Sequence, residues 1–329
     1  MRIVTWASRL IGGSDLPGAS RVSNALDRLA GTAASPATPV SIVADLPEEK
    51  LLGRFRPYTG PGEPEFMTDF LGGRTRVAFV TGYEAFAGKV LGRPTRGAEV
   101  LYEHDEWLGT LASVIEAGER GELVVIELGA RWAPWLVAAA QAAAQIPAIR
   151  SVRLLGVEAT SSRHEMMVRH FRDNDLDPSA HALLLGAAGD SDGTARFAKL
   201  PDPAADWGAT ELHADGPDFD EVPCFAIAGL VRRYDCVDLL HVNIQGAEAT
   251  ALPIAMPALN ERVRRVVVGT HSRAIDASLS DVFQTAGWHL EARHPCTLND
   301  GVMVRDGTQV WRNEARGSAP YSAKGQSPF

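Results

Sequence analysis

The feature that most constrains the fold is an alternation that begins at residue 122. Short apolar runs, too brief for helices, take turns with longer segments of helical composition. Leu123–Ile126 is apolar throughout and ends at Glu127-Leu-Gly129. A run buried on both faces, with a turn after it, reads as a parallel strand. Residues Ala133 to Ile146 contain Ala138-Ala-Ala-Gln-Ala-Ala-Ala144 and close at Pro147. Alanine has the best helix propensity and lets a helix lie close to a sheet. Val152–Val157, Ala182–Leu185, Val237–Ile244 and Val263–Thr270 supply four further strands. Ser162-Arg-His-Glu165 has capping-box spacing and predicts a helix through about Asn174. Ser278–Asp281 predicts the cap of another, ended by Gly287. Trp288–Ala292 and Val302–Arg305 read as strands, and Asp306-Gly307 is a two-residue hairpin signal leading to Gln309–Trp311. Strands alternating with helices predict a doubly wound, mostly parallel α/β sheet with an antiparallel hairpin at one edge.

Upstream the pattern is weaker. Ser23–Leu29 reads as a short helix and Gly31–Pro39 as a linker. Residues 53–64 carry three prolines and three glycines and predict a loop. Val77–Val80 and Lys89–Leu91 are short strand candidates. Over 103–117, Trp107, Leu108, Leu111, Val114 and Ile115 recur at helical spacing. The Gly/Ser/Pro/Ala-rich tail Arg316–Phe329 reads as flexible. The expected division is an N-terminal extension over 1–110, a main domain over 111–315 and a tail over 316–329.

A chain of 329 residues with 45% hydrophobic and 22% charged residues is neither disordered nor a disulfide miniprotein. Its 32 basic and 41 acidic residues give a net charge of −9, which argues against a nucleic-acid partner. The one dense basic stretch, Arg262–Arg265, runs straight into an apolar segment. Three cysteines without zinc-site spacing suit a reducing compartment. No apolar stretch reaches the length of a membrane span, and Arg9 interrupts the apolar run Ile3–Ile11. The expectation is a cytoplasmic chain.

Ligands in such sheets bind beyond the carboxyl ends of the strands. Glu127 stands at the end of one strand, before a tight turn with Gly129 into a helix whose N-terminus offers free N–H groups. Arg131 stands where glycine would ease a left-handed conformation, at a cost of roughly 1 kcal/mol or more. Glu158 ends the next strand, 31 residues on, and is placed to accept two hydrogen bonds from ribose hydroxyls. Asn243, Gln245 and Glu248 lie at or beyond the end of the fourth strand; Glu248 also suits the start of a helix. His271 follows the fifth strand and can take a proton from a hydroxyl near neutrality. His104, in Glu103-His-Asp-Glu-Trp107, reads as a solvated helix start. The chain has no HExxH, GxSxG or P-loop pattern, and no GxGxxG fingerprint to favour a nicotinamide oxidoreductase.

Glu127-Leu-Gly-Ala, Gly156-Val-Glu158, Gly186-Ala-Ala-Gly-Asp190-Ser-Asp-Gly193, Asp238-Leu-Leu-His-Val-Asn-Ile-Gln-Gly-Ala-Glu248 and Thr270-His-Ser272, taken as a set over roughly 100–312, resemble the FkbM family of S-adenosylmethionine-dependent methyltransferases. The resemblance implies a seven-stranded class I methyltransferase sheet and S-adenosylmethionine as cofactor. It implies that Glu127 and Gly129 meet the methionine part, that Glu158 holds the ribose and that Ala187 and Ala188 lie near the adenine. Ala130, Trp132 and Ala159 complete the expected cofactor positions. The implied reaction is O-methylation of a small-molecule or glycan hydroxyl, with His271 as base and Asn243 and Gln245 orienting the acceptor. Residues before about 110 would set substrate choice or form a homo-oligomer contact. The sequence departs from the family at Arg131 and Ala133, where small turn residues are usual, and at Asn243 and Gln245, where acids are common. An amide at 243 weakens the case for a divalent metal, because hard cations prefer carboxylates. It also suits an alternative, a weakly active or inactive methyltransferase-like partner protein.

Overall fold

The computed structural model describes residues 47–95, 104–198, 202–205, 219–299 and 302–317. The expected helix Ser23–Leu29, the linker Gly31–Pro39 and the tail beyond residue 317 lie outside these. The chain opens with α1 (Glu48–Gly53), β1 (Phe66–Thr68) and β2 (Arg74–Arg76), then α2 (His104–Ala117). The alternating region follows as β3 (Glu122–Leu128), α3 (Pro134–Ala143), β4 (Ser151–Glu158), α4 (Ser161–Asp173) and β5 (Ala182–Leu185). After β6 (Ala187–Gly189), β7 (Gly193–Ala198) and β8 (Phe219–Ala226) come α5 (Ile227–Val231), β9 (Val237–Val242) and α6 (Glu248–Arg262). The chain continues as β10 (Val263–Thr270), α7 (Arg273–Thr285), β11 (Trp288–His294), β12 (Thr297–Asn299), β13 (Val302–Arg305), β14 (Gly307–Asn313) and α8 (Glu314–Gly317).

Seven strands form the central sheet in the order β11-β14-β10-β9-β3-β4-β5. Pairing from β5 through β10 is parallel, and β14 runs antiparallel between β10 and β11. The fold is thus a doubly wound, mostly parallel seven-stranded sheet with an antiparallel C-terminal pair. One core lies on the α2–α3 face, around Leu108, Leu111, Leu136, Leu239 and Val267. The other lies under α5, α6 and α7, around Ile126, Leu240, Leu252, Val266 and Phe283. Inner strands covered on both faces explain why their sequences are continuously apolar.

Several local expectations are corrected. Val77–Phe79 is a 3₁₀ turn, with the strands β1 and β2 just upstream, and Lys89–Leu91 contributes only a bridge from Val90 to Thr68. The box at Ser162 does not form. Helix α4 starts two residues earlier, with Thr160 as N-cap, whose hydroxyl donates to Glu158 instead. Helix α7 is capped by Ser272, which accepts from the Ile275 N–H at 3.1 Å, so Ser278 and Asp281 lie inside it. Asp306-Gly307 does not turn one strand back on its neighbour. β13 pairs with β12, and β14 enters the central sheet between β10 and β11. Local turn chemistry yielded there to the pairing of β14 with two longer strands.

The basic stretch does not make a charged face. Arg265 is completely buried, forked by Glu291 at 2.6 and 2.9 Å and by Glu116 at 2.9 and 3.1 Å. Arg262 pairs with Asp235 and Glu261. None of the described helices is long and apolar enough to cross a membrane.

Candidate functional site

The chain leaves β3 toward β4 and β5 on one side and returns to β9 and β10 on the other. Strand order therefore reverses between β3 and β9, and a crevice opens beyond their carboxyl ends. A cavity of about 570 Å³ occupies that place. Its walls are the turn after β3 (Gly129, Arg131), the end of β4 (Glu158, Ala159), the start of the side sheet (Ala187, Ala188) and the loop after β9 (Asn243, Gln245). The side sheet β6-β8-β7 adds Asp190, Ser191, Thr194 and Cys224. Its strands pair across a long separation, so only the glycine-rich segment at 186–193 hinted at it.

The turn after β3 is conformationally demanding. Gly129 (φ 71°), Arg131 (φ 54°) and Ala133 (φ 60°) are all left-handed, so the two positions that depart from glycine keep a glycine-like backbone. A Cβ on Gly129 would overlap the carbonyl oxygen of Asn243, so only glycine lets the two loops meet here. The Arg131 guanidinium lies 4.7 Å over the Trp132 ring.

Glu158 joins two loops. Its Oε2 accepts from the Arg131 N–H at 2.9 Å, and its Oε1 accepts from the Thr160 N–H at 2.9 Å and hydroxyl at 2.8 Å. A carboxylate offers about four lone-pair sites, so about one remains for a ligand rather than the two expected for a ribose. Glu127 sits differently. It is buried off the cavity wall and accepts the Leu136 N–H at 3.0 Å, capping the N-terminus of α3. Burial, with Glu106 and Glu158 nearby, holds its carboxyl well above the usual carboxylate range, against the pull of the Leu136 and Trp135 N–H groups. Ala130 is buried in the core, and Trp132 packs with Phe79 and Val80 on the far side of the turn.

Beyond β9, Gln245 (φ 56°) and Gly246 (φ 107°) bend the chain into α6. The Gln245 amide donates to Asn243 Oδ1 at 2.9 Å. Glu248, completely buried, accepts the Ile244 N–H at 2.7 Å and the Gly246 N–H at 2.8 Å, so it caps its own loop. Its Oε1 also lies 3.1 Å from His271 Nδ1, in ion-pair contact. Asp306 lies 3.7 Å from His271 Nε2 on the other side. Burial lowers the imidazole's proton affinity, but Glu248 and Asp306 outweigh it and hold His271 above its ordinary value. His271 is not on the cavity wall; it stands behind the Glu248 loop. His104 is buried, not solvated, with its Nε2 at 2.8 Å from Glu48. His241, within the Asp238–Glu248 segment, is buried beside the Trp135 ring, 3.8 Å from Glu106. Among the described residues, no group of three or more His, Cys, Asp or Glu side chains forms a metal cluster.

No protein-family model matches the chain. It is 28% identical over 277 residues to a Jannaschia sp. (strain CCS1) protein named "Putative methyltransferase", covering 79% of this chain and 96% of that one. Among solved structures it is similar to methyltransferase FkbM from Methylobacillus flagellatus KT, with 14% identity and a TM-score of 0.39 over 63% of this chain and 55% of that one. It is also similar to precorrin-6y C5,15-methyltransferase from Geobacter metallireducens GS-15, with 9% identity and a TM-score of 0.37 over 65% of this chain and 91% of that one. Across most of its length the chain is thus a relative of a protein named as a methyltransferase, and its own strand order is that of the class I methyltransferase sheet.

Proposed function

We propose that the chain is an S-adenosylmethionine-dependent methyltransferase acting on a hydroxyl of a small molecule or glycan, such as a sugar or secondary metabolite. The observation that carries this reading is the 570 Å³ cavity at the strand reversal, with Glu158 on its rim. Its volume suits a nucleoside-sized ligand. Gly129 and Gly186 would both meet neighbouring atoms if they carried a Cβ, so the loops around the cavity close at glycines.

The residues present fit the cofactor. Glu158 has about one lone-pair site left for a ribose hydroxyl. Ala187, Ala188 and Ala159 would give a small-residue wall beside the adenine. Gly129 would meet the methionine part, with Ala130, Trp132 and the capped Glu127 behind it. When bound, the cofactor supplies a methyl group on a cationic sulfur, which leaves as a neutral sulfide. The protein's share is positioning and proton handling. Asn243 and Gln245, already linked to each other, orient the acceptor oxygen. His271, which stands off the cavity wall, would take the hydroxyl proton at Nε2 from an acceptor that reaches past the wall to it, while Glu248 stays in ion-pair contact with Nδ1. An imidazole held above its ordinary value is a base only on the alkaline side of that value, so turnover should rise with pH through it.

His271→Ala should abolish turnover with unchanged cofactor affinity; near-normal turnover would remove His271 from the mechanism. Absence of calorimetric binding at millimolar S-adenosylmethionine would overturn the whole reading. A second reading, a methyltransferase-like partner protein with little activity, has its own support. Arg131 takes a strained left-handed backbone, and His271 stands off the cavity wall. Cofactor binding without transfer to any acceptor would favour it.

A further inference from the structure

A second cavity, of about 40 Å³, lies where the N-terminal segment packs on the main domain. At about 10–15 Å³ per water it holds roughly three water molecules, the size of a small head group. Asp69, Tyr83, Trp107, Trp132, Trp135 and His170 line it. Three indoles and a phenol around one carboxylate are the chemistry that recognises an organic cation.

The polar groups narrow the choice. His170 Nδ1 lies 2.8 Å from the Trp132 carbonyl, which can only accept, so Nδ1 carries the proton, and Nε2 faces the Thr75 hydroxyl at 3.4 Å. Burial pushes the His170 proton constant down to about 4, so the ring is neutral at pH 7. Asp69 is the carboxylate on the cavity wall; its Oδ1 receives the Leu71 and Gly73 N–H groups, and burial pushes its carboxyl up to about 6. Nearby cations are already engaged and do not fill the space. Arg76 pairs with Asp173 and Glu65, Arg74 with Glu63 and Asp175, and Arg131 lies over Trp132. The positive end of α3 beside the cavity is capped by Glu127, which removes the obvious place for an anion.

We propose that this cavity binds an aliphatic ammonium group that keeps at least one N–H, donated to the Asp69 carboxylate, with the indole walls around it. An N–H-bearing ammonium matches a carboxylate set in an aromatic lining; a quaternary one would leave the carboxylate without a donor. Trp132 belongs to the same turn that lines the larger cavity with Gly129 and Arg131, so the two sites share one loop. The proposal does not depend on the methyltransferase reading.

The test is a titration of tryptophan fluorescence and thermal stability with dimethylammonium chloride, matched against sodium chloride, tetramethylammonium and neutral isopropanol. A saturable response to dimethylammonium is expected, weaker for tetramethylammonium and absent for isopropanol. Asp69→Asn keeps an acceptor for the turn but loses the charge, and should weaken binding about tenfold or more. Tyr83→Leu should weaken it about threefold. Equal response to isopropanol, no saturable response, or an unchanged Asp69→Asn variant would overturn the proposal. Calorimetry with S-adenosylmethionine on the same variants reports the other site separately, so failure of either reading is seen on its own.

Discussion

Replacing Glu158 by glutamine tests both the architecture of the cavity and its proposed ligand. The carboxylate accepts three internal hydrogen bonds, from the Arg131 N–H, the Thr160 N–H and the Thr160 hydroxyl. An amide of the same size keeps one acceptor oxygen and turns the other into a donor. If that oxygen stays with Thr160, the new NH₂ faces the Arg131 N–H, donor against donor. One charge-assisted bond is then lost, worth about 1.5–3 kcal/mol. For a domain of this size that lowers the melting temperature by about 3–12 °C. The stability loss is read from urea unfolding, with an unchanged slope showing that the native state stays compact. The same variant should bind S-adenosylmethionine about tenfold to a hundredfold more weakly, because the remaining lone pair and the charge go together. Unchanged stability would refute the role of Glu158 as the tie between the two loops. Reduced stability with full cofactor affinity would refute its contact with the ribose and leave the tie intact.

Gly129→Ala should cost about 1–2 kcal/mol for its left-handed backbone and more for the overlap with the Asn243 carbonyl, abolishing cofactor binding by calorimetry. Gly53→Ala, at the end of α1 and off the cavity wall, where a Cβ meets nothing, is the control. Glu291→Ala should destabilise by about 3–5 kcal/mol in urea unfolding, because it strips one arm of the fork around the buried Arg265 charge. His170 has its proton constant lowered by burial to about 4, so its stabilisation is present above the unfolded value near 6.5 and lost as pH falls toward 4. That amounts to about 3 kcal/mol across the window. Asp69, raised to about 6, acts in the opposite sense, losing stability as pH rises through that value. Comparing unfolding curves of the protein and His170→Gln from pH 7 to pH 4 isolates the histidine's share.

The parallel strands were legible because burial on both faces writes them as uninterrupted apolar runs. Ala182–Leu185 and Val263–Thr270 match their predicted bounds, and β3, β4 and β9 differ only at the ends. What escaped was governed by distant partners. β6 is Ala187-Ala-Gly189, with no strand propensity of its own, and exists because β8 pairs with it. Ser272 caps α7 without an acid three residues on, so it lacked the usual signature. In the site, carboxylates at strand ends were readable from sequence. Their orientation was not: Glu127 turns to the open N–H groups of α3, whereas Glu158 stays at the rim. The aromatic cavity was hidden because Asp69 and Trp132 come from segments that sequence places far apart.

Glu248 has a practical consequence for anyone probing this chain. A single carboxylate braces the bend after β9 and touches the imidazole after β10. Whatever enters the crevice and nudges that bend must also alter the charge felt by the ring. The ring-carbon protons of His271 therefore form a native spectroscopic tag for occupancy, readable by nuclear magnetic resonance without adding a label.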